Sequence, residues 1–170
     1  MQTERLTLRR LTLEDAPFIR QLLNDPDWLR FIGDRGVRTV GEAEAYLLKG
    51  PLAMYEACGF GLYAVVRKED GAVMGLAGLI KREILSHADL GFAFLPAFRG
   101  KGYAREAALA VLAEAREGFG IGRVLAITSL DNERSMRLLE GIGFRFERVI
   151  QLSEEDAGTR LDAIELRART

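Results

Sequence analysis

The stretch from Phe92 to Ala108, FAFLPAFRGKGYAREAA, constrains the fold more than any other part of the chain. It begins as an apolar, aromatic run typical of a buried strand and ends as a run of good helix formers. Pro96 cannot donate a ladder hydrogen bond, so we expect the strand to leave its neighbour there. A strand that leads directly into a helix predicts a sheet with helices packed on it.

Two glycines and two cations, Arg99-Gly100-Lys101-Gly102, separate this strand from the helix. A helix N-terminus has unpaired backbone N–H groups and the positive end of the helix dipole. Glycine permits positive φ and removes the Cβ, so successive N–H groups can converge on one anion. The segment therefore predicts a phosphate-binding turn. Gly-x-Gly alone also fits an ordinary loop with solvated cations.

The rest of the chain alternates strand and helix patterns. Asp70-Gly71 between two apolar runs is a hairpin signal, and Arg123–Ser129 is a strand rich in β-branched residues. Pro51 is expected to divide the second helix. Two residue pairs resemble capping boxes at the starts of the first two helices: Thr12 with Asp15, and Thr39 with Glu42. The pattern predicts a mixed α/β (α+β) fold in a single domain, residues 1–170.

Composition excludes several classes of function. The chain has 170 residues and a formal net charge of −1, which does not favour a general nucleic-acid binder. Its only cysteine and histidine, Cys58 and His87, allow no internal disulfide and make a zinc site improbable. It has no apolar run of membrane-spanning length and no apolar leader. We expect a cytoplasmic protein with no metal, nucleic-acid or membrane partner.

Two motifs, taken in their order along the chain, make the sequence resemble a known family. Arg99, Gly102 and Ala104 fit Arg/Gln-x-x-Gly-x-Gly/Ala, the acetyl-coenzyme A signature of the GNAT superfamily of N-acetyltransferases. Asn-x-x-Ser-x-x-Leu-Leu-x-x-x-Gly-Phe, from Asn132 to Phe144, resembles its second coenzyme-side segment. The chain is most similar to the RimJ/RimL-type branch, over nearly its whole length. The resemblance implies a mostly antiparallel central sheet with a splayed parallel strand pair, helices on both faces, and acetyl-coenzyme A as co-substrate.

The resemblance also implies which residues hold the coenzyme. The backbone of Phe94 and Leu95 would pair with the pantetheine arm, the loop Arg99 to Ala104 would wrap the pyrophosphate, and Asn132 would bond the arm. Phe94 and Leu95 also fit ordinary strand residues, and Asn132 or Asp131 fits a plain helix cap. The implied cofactor residues are Phe94, Leu95, Arg99, Gly100, Lys101, Gly102, Tyr103, Ala104, Asn132 and Ser135.

The implied reaction is direct attack of an amine on the acetyl thioester. It needs a neutral amine, donors for the oxyanion and a partner for the leaving thiolate. Many members of the family place a tyrosine acid seven residues after the Asn, where this chain has Leu139. Ser135, one turn earlier on the same helix face, is then the candidate that hydrogen-bonds the sulfur. A cap or a small packed residue is the other interpretation of Ser135.

The base and the acceptor are less constrained by the sequence. Candidate bases are Asp89, at the start of the strand, and Glu83 and His87 in the connection before it. Trp28, Arg30 and Phe31, beside two predicted turns, are candidate substrate-binding residues. Their alternative interpretation is a helix-packing aromatic with a solvated arginine.

The expected acceptor is the α-amine of a protein or peptide N-terminus, because this amine is the easiest to use without a strong base. A small-molecule amine such as an antibiotic or polyamine is the alternative. A non-catalytic coenzyme-binding module is a second alternative function. Pyridine-dinucleotide binding is disfavoured, since Arg105 occupies the last position of Gly-x-Gly-x-x-Gly. We expect a monomer or a homodimer.

Overall fold

A computed structural model describes residues 1–166 of the chain. Seven strands in this range form one sheet. They are β1 (Leu6–Arg10), β2 (Leu62–Arg67), β3 (Val73–Ile80), β4 (Asp89–Phe94), β5 (Arg123–Ser129), β6 (Arg145–Ile150) and β7 (Thr159–Glu165). Their order is β1-β2-β3-β4-β5-β7-β6, and neighbours are antiparallel except β4 and β5, which are parallel. The expected mixed, mostly antiparallel sheet is confirmed.

Six α-helices flank the sheet in the part of the chain that the structure describes. They are α1 (Ala16–Leu23), α2 (Pro26–Phe31), α3 (Val40–Lys49), α4 (Pro51–Cys58), α5 (Tyr103–Glu117) and α6 (Glu133–Gly141), with short 3-10 turns at Leu13–Asp15 and Pro96–Phe98. Pro51 divides α3 from α4, as predicted. The predicted hairpin joins β2 to β3.

The two predicted capping boxes form to different extents. Around Thr12 and Asp15 both halves of the box are present. Thr39 caps α3 by accepting from the Glu42 N–H, but the Glu42 carboxylate accepts from the Arg38 N–H instead of closing the box. The structure also places α2 where the sequence suggested only turns. Its N-cap is an aspartate, Asp25, followed by proline at the first helical position.

Apolar layers cover both faces of the sheet. On one face, Leu90 and Phe94 of β4 pack in a buried cluster with Ala107, Ala108 and Val111 of α5. On the other face, a second buried cluster contains Ile19 of α1 and Leu47 of α3 with Leu76 of β3. Each fully buried aliphatic side chain stabilises the fold by about 1.5–3 kcal/mol. Helices on both faces are therefore confirmed.

The parallel pair opens shortly after it begins. β4 and β5 share one register pair, Asp89 with Leu125, and the Leu125 N–H donates to the Ala88 carbonyl at 3.0 Å. Beyond this point the strands diverge, while β4 stays hydrogen-bonded to β3 through Phe94. Pro96 begins a 3-10 turn that turns the chain toward α5. The result is the expected splayed pair, with a gap in the middle of the sheet.

Candidate active site

A cleft of about 1240 Å³ occupies the gap between the splayed strands. Its walls come from β4, β5, α2, the start of α5, α6 and the connection between β6 and β7. The structure brings most of the predicted site residues together in this lining: Trp28, Arg30, Phe31, Asp89, Phe94, Arg99, Gly100, Gly102, Tyr103, Ala104, Asn132 and Ser135. Leu95, Lys101, Glu83 and His87 are outside it.

The glycine turn has the predicted backbone conformation. Gly100 and Gly102 have φ of +74° and +81°, which side-chain-bearing residues rarely adopt. Gly102 is the N-cap of α5 and supplies no side-chain cap. The first N–H groups of the helix, those of Tyr103 and Ala104, therefore have no partner within the helix and face an open approach. The turn can cradle an anion such as a pyrophosphate.

The N-terminal segment holds this turn from behind. The Arg5 guanidinium donates to the Lys101 carbonyl at 3.0 Å and to Glu106, on the first turn of α5, at 2.7 Å. It also lies over the Tyr103 ring, 4.4 Å from the centroid. Thr3 donates its hydroxyl to the same Glu106 carboxylate. These contacts fix the backbone of the turn without using the N–H groups that face the cleft.

The side chain of Arg99 has a different role from the one expected. Its guanidinium donates to Asp25 at 2.7 Å and to Asp27 at 2.5 Å, and its Nε donates to the Phe94 carbonyl at 3.0 Å. It therefore joins α2 to the end of β4, and the structure does not direct its charge at the glycine turn. Lys101 is exposed, and its Nζ lies 3.5 Å from the Ala97 carbonyl.

Replacing Arg99 with methionine is expected to destabilise the protein by about 2 kcal/mol, because Asp25 would stay buried without its cation. This loss of stability is smaller than for a fully buried ion pair, because the Arg99 side chain is 22% exposed. Urea unfolding measures the difference. Lys101→Met is the matched control and should change stability by less than about 0.5 kcal/mol. Equal stability of the two variants would contradict the assignment.

The prediction that the backbone of Leu95 contacts the pantetheine arm is wrong by one residue. Its N–H donates to the Met74 carbonyl of β3 at 2.9 Å, and its carbonyl accepts from the Phe98 N–H at 3.0 Å. Backbone groups of a strand alternate between its two neighbours, so Phe92 and Phe94 point theirs toward the gap. Arg99 already occupies the Phe94 carbonyl, which leaves the Phe94 N–H and the backbone of Phe92 for a ligand.

α6 places the second predicted motif on the opposite wall. Asn132 is its N-cap, and its Oδ1 accepts from the Ser135 N–H at 3.3 Å. The cap does not use the amide NH₂ group of Asn132, which remains available for a ligand. Asp131, the rival cap, instead accepts from the Ser129 hydroxyl. Leu139 is buried, so that turn of the helix presents no acid.

Of the three candidate bases, only Asp89 lies in the cleft. It is 1% exposed and accepts from the Arg82 Nε at 3.0 Å. Burial raises the pKa of the Asp89 carboxyl, and the Arg82 cation opposes that rise. Glu83 is exposed, and His87 hydrogen-bonds Ser86 beside a different surface depression. The connection before β4 therefore contributes Arg82, rather than Glu83 or His87, to the cleft.

The predicted acceptor residues line one side of the cleft. Trp28 is buried, and its Nε1 has no hydrogen-bond partner in the part of the chain described. Arg30 lies over the Phe31 ring, 4.6 Å from the centroid, and pairs with Asp131 across the cleft at 3.3 Å. The second interpretation of these residues, helix packing, accounts for the burial of Trp28 but leaves its N–H unused.

The cleft also contains residues that the sequence did not single out. Tyr46 lies near Arg35 and Arg82; burial raises the pKa of its hydroxyl, and the two cations oppose the rise. Thr128 lines the β5 wall. The alternation of side chains between the two faces of β5 is the sequence signal that could have identified Thr128 as a cleft residue. Nothing local marks Tyr46 or Arg35, which approach the cleft from α3 and from the connection after α2.

Residues 1–166 contain no group of three or more His, Cys, Asp or Glu side chains that could hold an ion. Within the same range, no helix combines the length and the apolarity that crossing a bilayer requires. The cleft itself combines an anion cradle, a gap between strands with free backbone groups, and a buried carboxylate. They suit a long thioester with a phosphate at one end.

Comparison with known proteins finds relatives that match nearly the whole chain. YoaA of Bacillus subtilis (strain 168), named as an N-acetyltransferase, is 25% identical over 163 residues, which cover 95% of this chain and 92% of YoaA. RimL, a ribosomal L7/L12 alpha-N-protein acetyltransferase solved with coenzyme A, superposes with TM-score 0.81 at 17% identity, covering 96% of both chains. A Vibrio cholerae spermidine N-acetyltransferase, solved with coenzyme A and spermine, gives 0.79 at 20%, also covering 96% of both.

The family itself is decided by the match to a domain profile. The profile described as Acetyltransferase (GNAT) domain matches residues 5–145, which span the glycine turn, the splayed strands and the N-terminus of α6. The two solved structures, each under 25% identical, support the fold alone. The chain belongs to the GNAT family and is an acetyl-coenzyme A-dependent N-acetyltransferase.

Proposed function

We propose that the protein transfers acetyl from acetyl-coenzyme A to the α-amine of a peptide or protein N-terminus, as an enzyme of RimJ/RimL type. The observation that favours this acceptor is the charge of the cleft. Seven arginines and six carboxylates line it. They are Arg30, Arg35, Arg82, Arg99, Arg105, Arg134 and Arg137 against Asp25, Asp27, Asp89, Asp131, Glu133 and Asp156.

A polyamine acceptor fits this charge distribution poorly. Several cationic amines need carboxylates that are not already neutralised, because burying a cation without a partner is costly. Four of the six carboxylates are already paired with arginine: Asp25 and Asp27 with Arg99, Asp89 with Arg82, and Asp131 with Arg30. A peptide N-terminus brings one amine and a polar backbone, and it needs no acidic cleft.

Within this proposal Asp89 is the general base, and Ser135 hydrogen-bonds the sulfur. Asp89 is the candidate that the fold places in the cleft, and its raised pKa makes it a better proton acceptor than an exposed carboxylate. Ser135 lines the same cleft from the first turn of α6. A serine hydroxyl is too weak an acid for full proton donation, so its contribution is a hydrogen bond.

The acceptor preference has a direct kinetic test. A peptide α-amine has a pKa near ~7.8 and a lysine amine near ~10.4, so the neutral fraction at pH 7 differs by roughly two orders of magnitude. We expect kcat/KM at pH 7 to be at least about tenfold higher for a peptide with a free N-terminus than for the same peptide N-acetylated but containing lysine. Release of coenzyme A thiol measures both rates.

Spermidine at the same concentration serves as the polyamine comparison. Equal or faster turnover of spermidine or of the blocked lysine peptide would contradict the proposed acceptor. Tight coenzyme binding with no thiol release from any amine would identify a non-catalytic module instead. The RimJ/RimL branch and a cytoplasmic location are part of the same proposal.

A further inference from the structure

The side-chain atoms that are buried without a partner point to an unassigned ligand contact. Three such atoms occur among the described residues: Trp28 Nε1, Thr128 Oγ1 and Asp162 Oδ2. Trp28 and Thr128 both line the cleft, whereas Asp162 does not. Buried polar groups normally have a hydrogen-bond partner, so an unpaired hydroxyl in a binding cleft indicates where a ligand supplies it.

Thr128 lies on the wall of the gap that faces β4. Counting three residues along each strand from the pair Asp89 and Leu125, Phe92 of β4 and Thr128 of β5 are corresponding positions. Residues alternate between the faces of a strand, so Thr128 shares a face with Val124 and Ala126. Those two belong to the buried cluster under α5, which places Thr128 on the side of the sheet that carries the glycine turn and α6.

The neighbours of Thr128 are already committed to other partners. Its cross-strand neighbour on β7 is Arg160, whose guanidinium donates to Asp162 at 2.9 Å and to Glu140 at 3.0 Å. The adjacent Ser129 donates its hydroxyl to Asp131. Thr128 is 8% exposed, and its hydroxyl has no protein partner that would explain a polar residue here.

We propose that the Thr128 hydroxyl hydrogen-bonds an amide of the pantetheine arm of acetyl-coenzyme A, opposite the free backbone groups of Phe92. The arm would run in the gap between β4 and β5 that Thr128 lines, and a hydroxyl both donates to an amide carbonyl and accepts from an amide N–H. Thr128 is therefore a coenzyme-binding residue. The inference rests on the coenzyme and not on the proposed acceptor, so binding measurements test it whichever amine is acetylated.

The test compares Thr128→Val, which keeps the shape of the side chain, with Thr128→Ser, which keeps the hydroxyl. Calorimetric titration with coenzyme A and with free pantetheine gives the affinities. Thr128→Val should raise the Kd of both ligands by the same factor, about fivefold, as expected for one lost neutral hydrogen bond. Thr128→Ser should stay within about twofold of the unaltered protein, because it retains the hydroxyl.

Thermal unfolding of the ligand-free variants supplies a readout that a structural role would change. Replacing an unpaired hydroxyl by a methyl group should leave Tm of Thr128→Val unchanged or higher. An unchanged Kd for both ligands in Thr128→Val would overturn the proposal. A loss confined to coenzyme A, or a lowered Tm that Thr128→Ser does not share, would also overturn it, since the hydroxyl would then serve the nucleotide end or the fold.

Discussion

Replacement of Asp89 by asparagine is expected to lower kcat/KM for acetyl transfer by a factor of roughly 10² to 10³, within the range of about 10² to 10⁴ for general acid–base catalysis. The expectation rests on the position of Asp89, which lines the cleft where β4 and β5 separate. Its carboxylate forms an ion pair with Arg82. Asparagine keeps an oxygen that can accept from the Arg82 Nε, so the variant removes basicity more than geometry.

The pH dependence separates a base from a structural carboxylate. Burial raises the pKa of Asp89, and only the ionised form can accept a proton. Below that raised pKa, log kcat/KM of the unaltered enzyme should rise with slope two, one unit for Asp89 and one for the acceptor amine. Asp89→Asn should show slope one over the same range.

Two controls make the Asp89 result interpretable. Glu83→Gln alters an exposed carboxylate of the preceding connection that does not line the cleft, and its kcat/KM should be unchanged. The Kd of coenzyme A for Asp89→Asn should also be unchanged, because Asp89 lies at the start of β4 and the glycine turn follows the opposite end of that strand. Activity of Asp89→Asn within threefold of normal, with slope two retained, would exclude Asp89 as the base.

Substitution of Gly102 by valine is expected to weaken coenzyme A binding by roughly 30- to 100-fold, equivalent to losing one or two charge-assisted hydrogen bonds. At φ of +81°, a β-branched residue is strained and shifts the backbone toward another conformation. Its Cβ would lie 3.4 Å from Arg5 Nη2, so the added side chain would also disturb the residue that holds the turn from behind. Titration with coenzyme A measures the loss.

Gly71 provides a control with matched strain. It has φ of +75° in the hairpin between β2 and β3, nothing lies within 4 Å of its would-be Cβ, and it is outside the cleft. Gly71→Val should lower Tm about as much as Gly102→Val, since strain in the left-handed region costs each about 1–2 kcal/mol. Equal coenzyme affinity in the two variants would return the glycine turn to being an ordinary loop.

Local signals in the sequence were enough to predict most of the elements. β5 spans Arg123–Ser129, the stretch predicted as a strand because it is rich in β-branched residues. The hairpin at Asp70-Gly71 and the positive φ of Gly100 and Gly102 follow from the chemistry of single residues. α2 escaped prediction because six residues are too few for helical periodicity to show, although Asp25-Pro26 is a start signal.

Errors in the predicted site have a common physical cause, which is information that no local window contains. Leu95 was assigned to the ligand because the sequence does not reveal which neighbour a strand residue bonds, and a shift of one residue reverses the answer. The partners of Arg99, Asp25 and Asp27, lie more than 70 positions away in sequence. Thr128 became visible only when its hydroxyl was seen to be buried without a partner.

The contacts by which Thr3 and Arg5 hold the glycine turn have a consequence for how the binding site forms during folding. Arg5 and Lys101 are separated by 96 positions, so the strand, turn and helix from Asp89 to Glu117 cannot acquire the geometry of the cradle from local contacts. Docking of β1 onto β2 must precede or accompany it. Coenzyme affinity is therefore a reporter of complete folding. Altering the first five residues should lower coenzyme affinity before it lowers the stability of the core.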